Sequence, residues 1–596
     1  MKKKRFKKLM CLALSAVTAV TMLGCGSTAK TTGGTQSGTT TASSSEGAKK
    51  YPKELTIDVF DSQANFQGTQ SGWFAKMVKD KFNMKLNIIA PNVAGGGDTV
   101  FQTRSANGNL GDLIITNLDK SRLKDLVKAN LILDMTKYIG NSSSLQKNKS
   151  AIESVSKLAD QKGMWAVPSS ISNQPATDPC EATDPTNAPS LRWDVYGKVG
   201  YPEIGTMNDL LGVLKKMQDA EPKSDSGKKV YAFSLFKDWD GDIMQNAGSL
   251  TGLYGYDPLG FCMMKDDGTD YQKVIDSNGK YVQSLKFLFD ANQMGLVDPE
   301  STTQNFDSVA AKYTDGAVLY SFWPWLGSGQ YNSTERMSNG KGFETVAIKD
   351  MTSISCGSNP QGDVSNGIMI GSRAKDPQRL ADFINWLYSP EGIMAASTQT
   401  GGKCGPEGLT WKMQDGKPVL TDFGVKAFVD IDAKLQVPKE WGGGTWKDGI
   451  SALNYNAVGV VDTDEKTGMC YNYQRWDDYQ SKVKTKLSED WSAHNDNATS
   501  ALQYLKSKNL IIVKPGTNYA IPEYSTDIST TKEQCKQTIV QYSWEMVFAK
   551  DENEFNSLLK KMQDEVIGLG FDNVYKVDLQ NAKDKMAAYE EASKAK

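Results

Sequence analysis

His494 is the only histidine in a chain of 596 residues, and that count decides much of the available chemistry. Ser-His-Asp or Cys-His catalysis, and a His-rich metal site, would all rest on it. It sits in the polar stretch SAHNDN, where a solvated side chain is expected. Cys180, Cys262, Cys356, Cys404, Cys470 and Cys535 are scattered with no CxxC, which argues against zinc and against a dense disulfide framework. One or two bridges remain open to them outside the cell. Asp462-x-Asp464 begins like a calcium loop, but Lys466 and Thr467 stand where an oxygen ligand and a glycine belong. No metal and no cofactor is expected. What remains is planar and polar. Trp239 lies in the loop KDWDGD, Trp323 and Trp325 flank Pro324, and Trp441 and Trp446 bracket the glycines of EWGGGTW. All stand away from helical stripes, where an indole offers a stacking face. Gln63 and Asn65 follow the first predicted strand and Asn117 follows the third. In open α/β sheets ligands sit beyond such carboxyl ends. Arg192 and Asp194, two residues apart, either reach a ligand from a cleft wall or pair with each other to fix a turn. Asp240 sets a carboxylate beside Trp239. The Asp and Glu residues are too numerous for sequence to single out a glycosidase pair.

The elements that must position these groups alternate in kind. Leu55 to Phe60, Leu86 to Ile89 and Gly111 to Thr116 read as strands, with a helical segment from Trp73 to Phe82 that ends at Asn83. That order predicts βαβ units and a mostly parallel sheet. Further on, Thr206 and Asp209 form a capping-box pattern ahead of Met207, Leu210, Leu211, Leu214 and Met217. Tyr281, Leu285, Leu288 and Phe289 repeat the helical spacing, with Gly295 as the stop. Asp376-Pro377 caps a helix carrying Leu380, Phe383, Ile384 and Leu387. Phe555, Leu558, Leu559, Met562 and Val566 make one more stripe. Between the helices, Gly316 to Phe322 and Thr345 to Ile348 read as strands.

The N-terminus has its own pattern. Lys2, Lys3, Lys4, Arg5, Lys7 and Lys8 precede the apolar run Leu9 to Leu23, then Gly24 and Cys25. That run falls short of the ~20 apolar residues of an ordinary membrane span. The sequence is similar to the bacterial lipobox, with Met22 where Leu is commonest. It predicts a signal peptide over 1–24 and lipidation at Cys25. Residues 25–52 continue as a Ser/Thr/Gly tether. Cleavage there takes the formal charge from −2 to −8, a balance that argues against a nucleic-acid partner.

Four ordered stretches resemble the extracellular solute-binding proteins of carbohydrate ABC transporters, in the large lipoprotein branch common in Gram-positive bacteria. They are DVFDSQANFQGTQSGWF (58–74), LRWDVYGKVGYPEIGTMNDLLGVLKKM (191–217), GLVDPE with TDGAVLYSFWPW (295–325), and YSPEG with GPEGLTW (388–411). The resemblance implies two α/β lobes of periplasmic-binding-protein type, joined by a hinge around a central ligand cleft. Lobe 1 is expected over 53–167 and 316–368, and lobe 2 over 168–315 and 369–596. The implied function is capture of a carbohydrate, an oligosaccharide, by lobe closure, without catalysis. The implied location is the outer face of the cell membrane, as a lipid-anchored monomer that delivers to ABC permease subunits. A sugar offers hydroxyls on its rim and C–H groups on its faces, which suits the planar groups above. The implied site residues are Gln63, Asn65, Asn117, Arg192, Asp194, Trp239, Asp240, Trp323, Trp325 and Trp441. Two alternatives stay open: an exported polysaccharide hydrolase using an Asp/Glu pair, and a binding protein that reports to a membrane sensor.

Overall fold

A computed structural model describes residues 49–91, 93, 97–118, 121–139, 142–397 and 402–594. The signal peptide, Cys25 and almost all of the tether lie outside the described residues. Among those described, no helix is long and apolar enough to cross a membrane.

The first sheet grows from the predicted strands. Leu55–Asp61 pairs in parallel with Met84–Ile89 on one side and Leu113–Thr116 on the other. Asp363–Ile370 then runs antiparallel between Leu113–Thr116 and Val167–Ser169, and Gly68–Thr69 closes the opposite edge. All four residues of Leu113–Thr116 are buried, as a strand covered on both faces must be. Its side chains alternate between two cores. Leu113 and Ile115 join Ile57, Val59, Ile368 and Ile370 on one face. Ile114 joins Phe60, Met369, Leu123 and Leu126 on the other. The helix Gly72–Phe82 packs on the first of these faces through Trp73, Phe74, Met77, Val78 and Phe82. It stops at Asn83, whose left-handed φ of 44° terminates the ladder, with Lys79 and Lys81 against its carboxyl end.

A second, larger core forms elsewhere in the chain. Ser190–Arg192 is the centre of an antiparallel sheet with Tyr320–Ser321 and Phe343–Thr345. Parallel bridges join Tyr231 to Val318 and Phe233 to Val297. The capping box of Thr206 and Asp209 starts the helix Met207–Ala220, which buries Met207, Leu210, Leu211, Leu214 and Met217. Lys280–Gln293 packs beside it, and the long C-terminal helices Thr526–Val547, Glu552–Leu569 and Phe571–Lys594 complete this lobe. The molecule is thus α/β with two lobes, each having its own sheet and core.

Two expected lobe assignments differ from what is observed. Segment 316–348 belongs to the second core, because Tyr320 pairs with Leu191 and Val318 with Tyr231. Segment 369–476 belongs to the first, because Ile370 pairs with Leu113 and the helix Pro377–Leu387 packs on the Trp73 face. Apolar spacing determines what an element is, but pairing decides which sheet receives it.

The chain passes between the cores three times, near 170–189, 346–362 and 477–486. The first two crossovers touch each other at Pro179 and Gly357 and again at Asn187 and Ile354. Ser353–Cys356 also pairs in parallel with Ile511–Lys514.

Candidate functional site

Three loops leave the second lobe at the carboxyl ends of neighbouring strands, and each brings an aromatic ring. After the 231–236 segment comes Trp239, after Tyr320–Ser321 come Trp323 and Trp325, and after the 297–298 segment comes Phe306. The rings meet. Trp239 stacks on Phe306 with centroids 4.9 Å apart and planes at 23°. It meets Trp323 at 5.5 Å and Trp325 at 5.8 Å, and Trp323 and Trp325 are themselves 6.2 Å apart at 27°. Phe236, fully covered, supports Trp239 from behind at 4.9 Å. Trp323 is 8% exposed, whereas Trp239 and Trp325 keep 39% and 49% of their surface in solvent. The result is a shelf on which the Trp239 and Trp325 faces are open to solvent over a buried Trp323. Large apolar side chains left exposed together mark a binding surface more often than isolated ones do.

Carboxylates pin the Trp239 loop on both sides. Asp238 Oδ2 accepts from the Phe306 backbone N–H at 2.8 Å. Asp240 Oδ2 accepts from Trp544 Nε1 at 2.7 Å and its Oδ1 from the Gln245 N–H at 2.9 Å. Burial raises the Asp240 pKa, against those two hydrogen bonds. Asp240 therefore orients the loop and is not a free partner for a ligand at the shelf. On its far side the loop borders a cavity of about 570 Å³ lined by Lys237, Thr302, Lys536, Trp544 and Phe548.

The first lobe presents a different surface. Gln63 and Asn65 are exposed in the turn beyond Leu55–Asp61, and Asn117 is half-buried beyond Leu113–Thr116. A buried carboxylate organises this end. Asp61, with no exposed surface, accepts from the backbone N–H of Gln63 at 3.1 Å and of Asn454 at 3.0 Å. Burial pushes its pKa up to about 6, those hydrogen bonds resisting. Asn454 returns a bond from Nδ2 to the Gln63 carbonyl at 2.8 Å, and Asn366 Nδ2 donates to the Asn454 carbonyl at 2.9 Å. Gln63 Nε2 reaches the Ser365 carbonyl at 3.3 Å. Phe66, 43% exposed, is the one large ring on this ledge.

Arg192 and Asp194 are not part of either surface. The guanidinium, 4% exposed, makes a bidentate pair with Asp194 (Nε to Oδ1 3.0 Å, Nη2 to Oδ2 2.8 Å). It also donates to the Gly316 carbonyl at 3.3 Å and lies 4.0 Å above the Tyr331 ring. Of the two readings the sequence left open, the fold uses this pair to tie the second sheet together. Trp441 is half-buried and packs on the first core, not with Trp239, Trp323 and Trp325 of the shelf. Trp446 is core: it stacks on Trp73 at 4.9 Å and 6°. Phe306, Phe66 and Asn454 complete the two surfaces without having been singled out in the sequence. Asn305-Phe306 at a helix start was a readable loop-aromatic signal. Asn454 had none, since its partner Asp61 lies 393 residues away.

With this geometry in hand, the chain compares with known proteins as follows. The sequence model of bacterial extracellular solute-binding proteins matches residues 67–394, more than half of the chain. The chain belongs to this family. No curated protein matches the sequence of this solute-binding protein. Among solved structures it is similar to the alginate-binding protein AlgQ2, with a TM-score of 0.54, 14% identity, and coverage of 92% of this chain and 99% of that one. It is similar to the substrate-binding protein FusA of S. pneumoniae, solved in complex with kestose (TM-score 0.56, 14% identity, 89% and 99% covered). A third is an HMO-binding solute-binding protein from Bifidobacterium longum infantis (TM-score 0.54, 12% identity, 90% and 99% covered). At these identities the likeness concerns the fold: the two-lobe arrangement of solute-binding proteins. Family membership also makes the protein extracytoplasmic.

Proposed function

We propose that this solute-binding protein captures an extracellular oligosaccharide between its lobes and delivers it to an ABC transporter. The observation that carries the reading is the three-indole shelf of Trp239, Trp323 and Trp325 at strand ends of the second lobe. The exposed faces of Trp239 and Trp325 match the C–H faces of sugar rings, with Trp323 buried between them as support, and two such faces match neighbouring units of a chain. The ledge of Gln63, Asn65 and Asn117 supplies amides for hydroxyls. The one guanidinium expected at the site, Arg192, is spent on Asp194, so the planar groups left are neutral. A neutral oligosaccharide fits this set better than a polyuronate. FusA was solved with kestose, a neutral oligosaccharide, whereas AlgQ2 is named for alginate, a polyuronate.

Closure of the lobes about the crossovers brings shelf and ledge onto the ligand, and the closed state is the one a permease reads. The protein works as a monomer by binding alone, with the sugar leaving unchanged. Lipidation at Cys25 and the tether hold it near the transporter, where tethering raises its effective concentration.

Calorimetry of the mature chain against neutral oligosaccharides and uronate oligomers is the test. Heat with a neutral series, accompanied by a change in tryptophan fluorescence, is expected. Binding of peptides or metal complexes with no sugar bound would sink the reading, and release of labelled glycan fragments would replace it with hydrolysis. Mass spectrometry of the mature N-terminus checks the lipid independently.

A further inference from the structure

The two crossovers that touch each other bring together a pair of thiols. Pro179 and Gly357 form an antiparallel bridge, so Cys180 and Cys356 stand directly opposite one another. The Cys180 N–H donates to the Cys356 carbonyl at 2.8 Å. The two Sγ atoms and a Glu181 carboxylate oxygen all lie within 4.8 Å of one another. Directly opposed residues of an antiparallel pair have Cα atoms ~4.5–5.5 Å apart, inside the range a disulfide accepts.

We propose that Cys180 and Cys356 form a disulfide in the exported protein, clamping the first crossover to the second. A soft metal held by Cys180, Glu181 and Cys356 is the competing use of the same atoms. The Glu181 carboxylate argues against it. Its Oε1 already accepts from the Thr186 N–H, the Thr186 hydroxyl and the Cys356 N–H, and its Oε2 accepts from the Ser355 hydroxyl. With those donors in place the carboxylate has little left to offer a cation. The Cys356 sulfur accepts only from the Thr186 hydroxyl, at 3.3 Å, and from the Cys180 thiol, and Cys356 is exposed to an incoming oxidant. A hydrogen bond from Cys180 lowers the Cys356 pKa, which favours the thiolate needed for attack. The four other body cysteines lie elsewhere: Cys262, Cys404 and Cys535 are buried, and Cys470 faces the Val461 carbonyl.

The chemistry balances with a disulfide-bearing oxidant of the extracytoplasmic space, either an oxidoreductase or a small-molecule disulfide. The Cys356 thiolate attacks one sulfur of the oxidant, forming a mixed disulfide and expelling a thiolate. The Cys180 thiolate then attacks Cys356 Sγ, expelling the second. The protein loses two protons and two electrons, and the oxidant's S–S bond takes the electrons to become two thiols. The bridge encloses residues 181–355, the whole first passage through the second lobe.

The test is a peptide map of the full exported chain, alkylated in denaturant before any reduction. The expected result is one cross-linked species holding Cys180 and Cys356, two hydrogens lighter than the sum of its peptides and released by a phosphine. Cys262, Cys404, Cys470 and Cys535 should all be alkylated. In Cys180→Ser, Cys356 should become fully alkylated without reduction. Alkylation of both thiols in the unreduced wild-type protein would overturn the proposal. So would Cys356 remaining blocked in Cys180→Ser, or stoichiometric zinc that disappears in that variant.

Discussion

The shelf of the second lobe and the ledge of the first are built by opposite means. The shelf is local: Trp239, Phe306, Trp323 and Trp325 come from loops and helix starts of one lobe within 87 residues, and the rings hold one another. The ledge is assembled at long range, with the buried Asp61 gathering Asn454 across 393 residues through a partly buried hydrogen bond. Stacking area is tolerant of orientation, whereas hydrogen bonds are not. The shelf should therefore supply most of the affinity and the ledge most of the discrimination.

The severest test removes the shelf. Trp239→Ala with Trp325→Ala should weaken sugar binding by about a hundredfold, since each aromatic contact is worth ~0.5–1.5 kcal/mol beyond its buried area and ~1.4 kcal/mol is tenfold. Titration calorimetry reads this directly, and a loss of only a few-fold would break the comparison. Asp61→Ala comes next. It leaves the backbone N–H groups of Gln63 and Asn454 without their acceptor and should cost about 1 kcal/mol in urea unfolding, with the second lobe unaffected.

A comparable effect follows from pH. Asp61 titrates at about 6 in the folded protein, above the ordinary carboxyl value, so the folded state binds the proton more tightly than the unfolded one. Stability from this group therefore rises as pH falls through 6 and is lost again as pH climbs back. Between pH 7 and 5 the gain should be about 1 kcal/mol, and Asp61→Asn should remove it from the difference between the two unfolding curves. The smallest effect is at the rim. Gln63→Ala should change affinity only a few-fold, about 0.5–1 kcal/mol for one exposed hydrogen bond, but unequally among sugars of different linkage. An equal loss for every sugar would assign the ledge to affinity and not to selection.

The same contrast explains what could be read in the chain. Trp239, Trp323 and Trp325 were legible because each stands beside a turn residue or proline, although Trp325 proves to open the helix Pro324–Tyr331. The caps Thr206 and Asp376 were legible because a helix start is a local pattern, and both helices form where those caps predict. Arg192 and Asp194 were legible as a pair but not as a purpose. Whether a guanidinium meets solvent or its neighbour depends on Gly316 and Tyr331, more than 120 residues away. The destination of Gly316 to Phe322, and of segment 369–476, was hidden for a related reason. A strand's alternation is satisfied equally by either sheet, and only the partner's register selects one.

Asp363–Ile370 fills the slot between Leu113–Thr116 and Val167–Ser169, and this has a consequence for the timing of folding. The newly exported chain displays Leu113–Thr116 roughly 250 residues before its partner arrives. Until then Leu113, Ile114, Ile115 and the buried Thr116 form a raw sheet edge, the kind that recruits strands from neighbouring molecules. Contacts of such sequence separation form slowly. The second lobe's passage from 190 to 345 intervenes and must either finish first or be held open. Aggregation during export should therefore begin at this edge, and substitutions there should lower yield before they alter ligand binding.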